Sequence, residues 1–504
     1  MAFAQPASPQ NANTSGSGGG NNITSTGLPN LGDGSDMAAS AERRLGDRIA
    51  RELYRDPDYV DDPVIMEYVQ AIWQPLLAAA RLRGEIPPEL DDNFAWEILL
   101  GRDRTVNAFA LPGAYFGLHL GLVGVVASRD ELASVLAHEL SHVTQRHISR
   151  VISRQNAQAP WLMGAMILAA LAASKNPGAA NAVIVGGQAV SAQSQLNFSR
   201  DMEREADRVG FGVLTQAGFA PQGFVGMFEK LQQASRLNDT GGFPYLRSHP
   251  LTTERMADMQ ARIPQGAVLA SPELVHSMVS ARARVVSNAG VDALRNWALQ
   301  AEPDRLQRLA PVQQAGVMYG AALAALKLRD YGAAQLHLTR LGEAVRGDPA
   351  AARLVRLLGA ELAIAQNKGA QALGLLSASG PQTAGLGTSR AELVLTAQAS
   401  LQGGSLASAA QALQTWLAAH PRDAQAWQLL SSVNAAQGRT VAAVRAEAEV
   451  YVAQLDYAGA LTRLKVAQDM VRSRVAGADH IEASIVDTRT RQVELTLREQ
   501  AVER

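Results

Sequence analysis

Apolar residues recur at helical spacing through the first part of the chain: Leu45, Ile49 and Leu53, then Val64, Tyr68, Ile72 and Leu76. This pattern predicts two or three helices between about Met37 and Arg83. It changes at "FAWEILLGRDRTVNAFALPGAYFGLHLGLV", where Phe94, Trp96, Ile98 and Leu100 alternate with other residues and Gly and Pro break up more extended pieces. A small sheet is the expectation there. Helical spacing returns over 130–157 and again in "NFSRDMEREADRVGFGVLTQAGFAPQGF", ending at Gly218. Between them lies the most apolar run, Trp161 to Ala173, broken by "SKNPGAAN". It is shorter than the roughly 20 apolar residues of a spanning helix, so it reads as a non-spanning segment: a buried hairpin, a membrane-surface contact or a flap.

After about Gln265 the chain is Ala/Leu/Gln-rich, nearly all helical, with Gly turns. "RDYGAAQLHLTRL", "NKGAQALGLL", "GGSLASAAQAL", "GRTVAAVRAEA" and "LDYAGALTRLK" each pair a turn with a helix start rich in small residues. Ala409 and Ala443 lie one tetratricopeptide (TPR) period apart, roughly 34 residues. Trp427 and Leu430 suit the first helix of such a repeat, with Pro421 at the preceding turn. Small residues at fixed positions let paired helices approach closely, and stacked pairs form a concave binding surface. The expected architecture is mainly α (α+β): a disordered segment over 1–36, a domain of helices with a small sheet over 37–265, and an α-solenoid of degenerate TPR-like repeats over 266–504.

Composition narrows the chemistry. At 504 residues the chain is too long for one ordinary core. A net charge of −1 with no basic block argues against nucleic-acid binding. There is no cysteine, which removes thiol catalysis, disulfides and Cys-ligated zinc, and leaves His and carboxylates as the strong metal ligands. Ala2-Phe3-Ala4 before Gln5 has the small-x-small form that precedes signal-peptide cleavage, so the N-terminus reads as the tail of a trimmed export signal behind a start methionine.

The stretch "VLAHELSHVTQRH" carries the chemistry. Residues four apart share a helix face, so His138 and His142 can hold one metal ion between them. Glu139 can reach a water on the metal's open side. Leu132, Val135, Leu136 and Val143 give the helix a core face. His147 follows His142 by five and reads as ordinary helix surface. Zinc needs a third protein ligand and keeps its fourth position for water. "RDMEREADRVG" offers Glu203 and Asp207, again four apart: one could bind the ion while the other hydrogen-bonds a ligand histidine. Taken alone, that charged stretch reads equally as a solvated face. His249, in "YLRSHPLTTER", could cap the metal or stabilise an oxyanion, and Arg255 could share the second role. Upstream, Asn107, Ala108 and Phe109 would form an exposed edge strand, with Pro112-Gly113 as the turn. Such an edge holds an extended peptide through backbone bonds without demanding a sequence.

Together H-E-L-S-H, the upstream N-A-F-A-L-P-G and the downstream E-R-E-A-D resemble the gluzincin peptidases that include the CAAX prenyl protease and the HtpX heat-shock protease. The resemblance is strong over about 40–265. The TPR-like half and "SHPLTTER" are similar to a narrower periplasmic branch of that family. It implies a zinc metalloendopeptidase with one Zn2+ per chain, held by His138, His142 and Glu203. Glu139 is then the base, Asp207 the carboxylate behind a ligand histidine, and His249 a residue able to occupy the fourth metal position. It further implies a periplasmic protein with chaperone-like activity, stalled or unfolded outer-membrane proteins as clients, and docking on their assembly machinery through the TPR-like half. Ala114 departs from the family, which often has a second glycine there. The rival reading is a TPR chaperone or adaptor with a silent or structural zinc site, and retention of Glu139 argues against it.

Overall fold

The computed structural model describes residues 37–154, 198–236, 243–264, 273–377, 389–473 and 480–502. The N-terminal 36 residues and the apolar run 161–173 lie outside these. Two helices open the chain, α1 (Ala39–Arg55) and α2 (Pro63–Leu82). Asp62 sets the start of α2: its carboxylate accepts from the amides of Val64 and Ile65 at 3.1 and 3.0 Å, and Pro63 fills the first helical position. A short helix α3 (Pro88–Asn93) leads into three strands, β1 (Glu97–Gly101), β2 (Ala108–Leu111) and β3 (Tyr115–His119). The sheet order is β1-β3-β2, with β1 parallel and β2 antiparallel to β3. The expected small sheet is present, and β2 lies at its edge.

The turn between β2 and β3 uses Gly113 at φ +72° and Ala114 at φ +58°. Both occupy the left-handed region, where a side chain is strained. The position at which this chain replaces the family's second glycine is therefore one whose backbone favours glycine.

Four helices follow the sheet or complete the site: α4 (Leu120–Val125), α5 (Arg129–Thr144), α6 (His147–Arg154) and α7 (Arg200–Gln216). Next come α8 (Gln222–Arg236), α9 (Tyr245–Ser248), α10 (Thr253–Arg262) and α11 (Leu274–Ser287). The centre of this part is α5, buried at every residue from Asp130 to Thr144 and packed against α2, α7, α8 and β2. That is more than a core face: the charged and polar residues of the motif are enclosed as well.

The remainder is helical throughout its described residues. It runs α12 (Val291–Gln300), α13 (Pro303–Leu306), α14 (Pro311–Lys327), α15 (Tyr331–Ala344), α16 (Pro349–Ala365) and α17 (Gly369–Ser377). It ends with α18 (Arg390–Ser400), α19 (Leu406–Ala419), α20 (Ala424–Ala436), α21 (Thr440–Ala453), α22 (Tyr457–Arg472) and α23 (His480–Val502). From α14 onward each helix packs on the next. Asp330, Asp348, Ser389, Ser405, Asp423 and Asp456 cap α15, α16, α18, α19, α20 and α22 through their side chains, so these short polar turns have a structural job.

The two halves share a core. One buried apolar cluster runs from Ala39 through Trp73, Phe116 and Leu136 to Met318, Leu358 and Ala399. Ion pairs reinforce the contact. Arg282, 5% exposed, bonds Asp62 at 2.8 Å and Glu361 at 2.9 Å, joining α11 to the start of α2 and to α16. Arg353 bonds Glu67 at 2.7 Å, Arg390 bonds Asp61 at 2.7 Å, and Arg422 bonds Glu97 at 3.1 Å.

Candidate metal centre

Two helices and one loop build the site. Ser128 caps α5, its Oγ accepting from the Glu131 amide at 3.2 Å, and the helix carries His138, Glu139 and His142 into the interior. Ser199 caps α7 in the same way, from the Met202 amide at 3.3 Å. The inward face of α7 is Met202, Glu203, Ala206, Asp207 and Gly210, while Asp201 and Arg208 face solvent. The charged stretch is therefore split by the helix period: two of its carboxylates are buried and the rest are not. Close approach of α7 to α5 depends on Gly210. A Cβ there would sit 3.1 Å from the Ala137 carbonyl oxygen and 3.2 Å from the His138 amide nitrogen.

The ligand-capable atoms of His138, His142, Glu203 and His249 all lie within 4.8 Å of one another, and all four residues are buried. His138 and His142 turn Nε2 toward each other at 3.0 Å. Glu203 lies 3.5 Å from each of those nitrogens. His249, at the end of α9, places Nδ1 3.1 Å from Glu203 and Nε2 3.5 Å from Glu139. Behind the cluster, Asp207 bonds His138 Nδ1 at 3.0 Å. Arg255 holds Asp207 through two bonds of 2.6 and 2.8 Å, and also reaches Glu203 and the Pro250 carbonyl at 2.8 Å each. Its guanidinium is thus committed to positioning carboxylates, away from the oxyanion role considered for it.

The electrostatics suit a cation at the centre. Burial penalises charge on His138, but its hydrogen bonds to Asp207 and Glu203 outweigh this and push its pKa up to about 9. Burial opposes the Glu203 carboxylate too, yet His249 and His138 hold its pKa well below the usual range. His142 is driven the other way, by burial first and by His138 second, so its ring is neutral and has a lone pair to give. Burial raises Glu139, against the pull of His249 and His138, and a raised carboxylate is what a general base near neutral pH needs. Imidazole nitrogens plus a carboxylate, with no thiolate, match the donor preferences of zinc.

The structure brings together seven of the ten candidate site residues singled out from the sequence: His138, Glu139, His142, Glu203, Asp207, His249 and Arg255. The other three, Asn107, Ala108 and Phe109, lie at the start of the edge strand. The side chains of Asn107 and Ala108 are buried, at 7% and 0% exposure, so this edge offers backbone rather than side chains. Three contributors were not foreseen. Tyr245 stacks on His249 with ring centres 4.5 Å apart and lies beside Glu139; its place one helical turn before His249 was a usable signal. Phe198 stacks on His142 at 4.0 Å and carried no signal. His147 is a correction: it is fully buried, not on the helix surface, because α5 ends at Thr144 and Arg146 takes φ +58°. The new helix starts at His147 and turns its ring back onto His142.

A histidine pair on one buried helix, a carboxylate from a second and a glutamate beside them make the centre of a metallopeptidase. Residues 67–263 match peptidase family M48. The chain is 34% identical over 324 residues to a putative beta-barrel assembly-enhancing protease of Vibrio cholerae, covering 62% of this chain and 63% of that one. It is 29% identical over 431 residues to the beta-barrel assembly-enhancing protease of Escherichia coli K12, covering 84% and 83%. The mitochondrial metalloendopeptidase OMA1 of Saccharomyces cerevisiae is 28% identical over 202 residues, 39% of this chain and 55% of that one. Among the described residues no helix is long and apolar enough to cross a membrane.

Proposed function

We propose that this protein is a zinc-dependent metalloendopeptidase of the periplasm that acts in the quality control and assembly of outer-membrane β-barrel proteins. The observation that carries the peptidase reading is the convergence of four buried donors within 4.8 Å, with Glu139 against them. In this reading His138, His142 and Glu203 hold one zinc ion. When bound, zinc supplies a Lewis acid that acidifies water and polarises a peptide carbonyl. Glu139 takes a proton from the attacking water and delivers it to the leaving amine. Asp207, clamped by Arg255, orients His138. The backbone of the Asn107–Phe109 edge holds the substrate extended. His249 reaches the centre from the end of α9, with Nδ1 3.1 Å from Glu203, and in this reading it caps the metal in the resting enzyme. The assembly role is supported by the similarity to the beta-barrel assembly-enhancing proteases of Vibrio cholerae and Escherichia coli. The helices from α14 onward, with their TPR-like spacing, serve client selection, chaperone-like holding and docking on the assembly machinery.

The test is Glu139→Gln, which keeps shape and leaves the donor set intact. The variant should bind zinc in the same amount as wild type and lose cleavage of an unfolded polypeptide by a factor on the order of 10²–10⁴. Equal cleavage by the two proteins would remove the enzymatic reading.

A further inference from the structure

The two helix-borne histidines are backed differently. His138 Nδ1 faces a carboxylate directly, Asp207 at 3.0 Å. His142 Nδ1 faces a second imidazole: His147 Nδ1 lies 2.9 Å away. The other nitrogen of His147 lies 2.9 Å from Glu205 Oε2, and Arg150 reaches the same oxygen at 3.0 Å. We propose that His147, with Glu205 and Arg150 behind it, is a positioning relay that sets the tautomer of His142 and so its ability to bind metal.

With Glu205 ionised and both imidazoles neutral, the hydrogen-bond bookkeeping leaves one arrangement. A carboxylate oxygen only accepts, so the proton between His147 and Glu205 sits on His147 Nε2. The neutral His147 ring then presents a lone pair at Nδ1. The 2.9 Å contact between two ring nitrogens needs one donor, and that donor is His142 Nδ1. His142 is left with its lone pair on Nε2, the atom that faces His138 and Glu203. Without Glu205, His147 could carry its proton on Nδ1 and drive the proton of His142 to Nε2, where it would block coordination. The relay also ties the ligand set together, since Glu205 stands on α7 two residues after Glu203. Nothing else about His147 explains its enclosure: it is completely buried and polar, and its place comes from the break at Gln145–Arg146.

This inference rests on the reading of His142 as a zinc ligand, and the experiment separates the two. Zinc affinity of the full chain is measured by competition with a chromophoric chelator for wild type, His147→Phe, His147→Gln and Glu205→Ala. Partners behind a ligand histidine typically contribute 10–100-fold in metal affinity. His147→Phe, which keeps a ring but no acceptor, should weaken zinc binding by roughly that factor. His147→Gln should recover most of it, because its amide oxygen can accept from His142 Nδ1 and its NH2 can donate to Glu205. Glu205→Ala should fall between, and a Co2+-loaded sample should show an altered d–d spectrum. Should His147→Phe fail to fold, Glu205→Ala carries the test, since that side chain is 40% exposed. Wild-type affinity in Glu205→Ala and in any folded His147→Phe would overturn the relay. A wild-type chain that binds no zinc would overturn the underlying reading instead.

Discussion

Arg255 offers the sharpest test of how the site is held. It is 4% exposed and is the counter-charge to two carboxylates, Asp207 and Glu203, themselves about 1% exposed. Its bond to the Pro250 carbonyl also ties the His249 loop to α7. Arg255→Met keeps the apolar stem and removes the charge. Breaking one partner out of a buried ion pair costs about 3–5 kcal/mol, because the other charge stays buried. The raised proton affinity of His138 can absorb part of this, which favours the lower end. A local destabilisation of about 3 kcal/mol corresponds to faster opening by roughly two powers of ten. Hydrogen–deuterium exchange in a chelator should therefore show the amides of α7 and α10 exchanging roughly a hundredfold faster than in wild type. Arg255→Lys should recover about half in free energy, since an ammonium restores charge but cannot fork across both Asp207 oxygens. Adding zinc should narrow the gap, because Glu203 then gains a cation. Exchange within threefold of wild type in Arg255→Met without metal would refute this account.

Gly210→Ala should lower the melting temperature, although Ala normally stabilises a helix over Gly by about 1 kcal/mol; the added carbon meets the α5 backbone at 3.1 Å, and a rise would contradict the close-packing argument. His249→Ala should raise proteolysis if the residue caps the metal, as measured with an unfolded substrate, whereas a fall would assign it to the oxyanion. Burial opposes charge on Asp423, but its bonds from Arg390 at 2.7 and 3.0 Å outweigh this and hold its pKa below 3.8. A depressed folded value means stability that is present above pH 3.8 and lost as pH falls through the folded pKa. Asp423→Asn should therefore destabilise at pH 7 and show a smaller acid loss than wild type, read by thermal melts at pH 7 and at about pH 3.

The sequence alone determined the local features of this protein. Helix periods, polar caps and the turn at Pro112-Gly113 are short-range consequences of residue order, and so is the shared face of His138 and His142. Even the spacing of Glu203 and Asp207 was legible, because four residues make one helical turn wherever the helix lies. What only the tertiary structure decided is which of these faces meet. On α7, seven charged residues look alike in sequence; burial against α5 picks Glu203 and Asp207 for the interior and leaves Asp201 and Arg208 in water. Arg255 could have served an oxyanion, and the fold instead assigns it to two carboxylates from a helix some fifty residues upstream. His147 shows the limit most clearly. Five residues after His142, it lies off the face shared by His138 and His142 on any continuous helix, and only a break at Arg146 turns it inward. A left-handed residue in one short turn leaves no mark in hydrophobic periodicity, so its consequence for the site had to come from the folded chain.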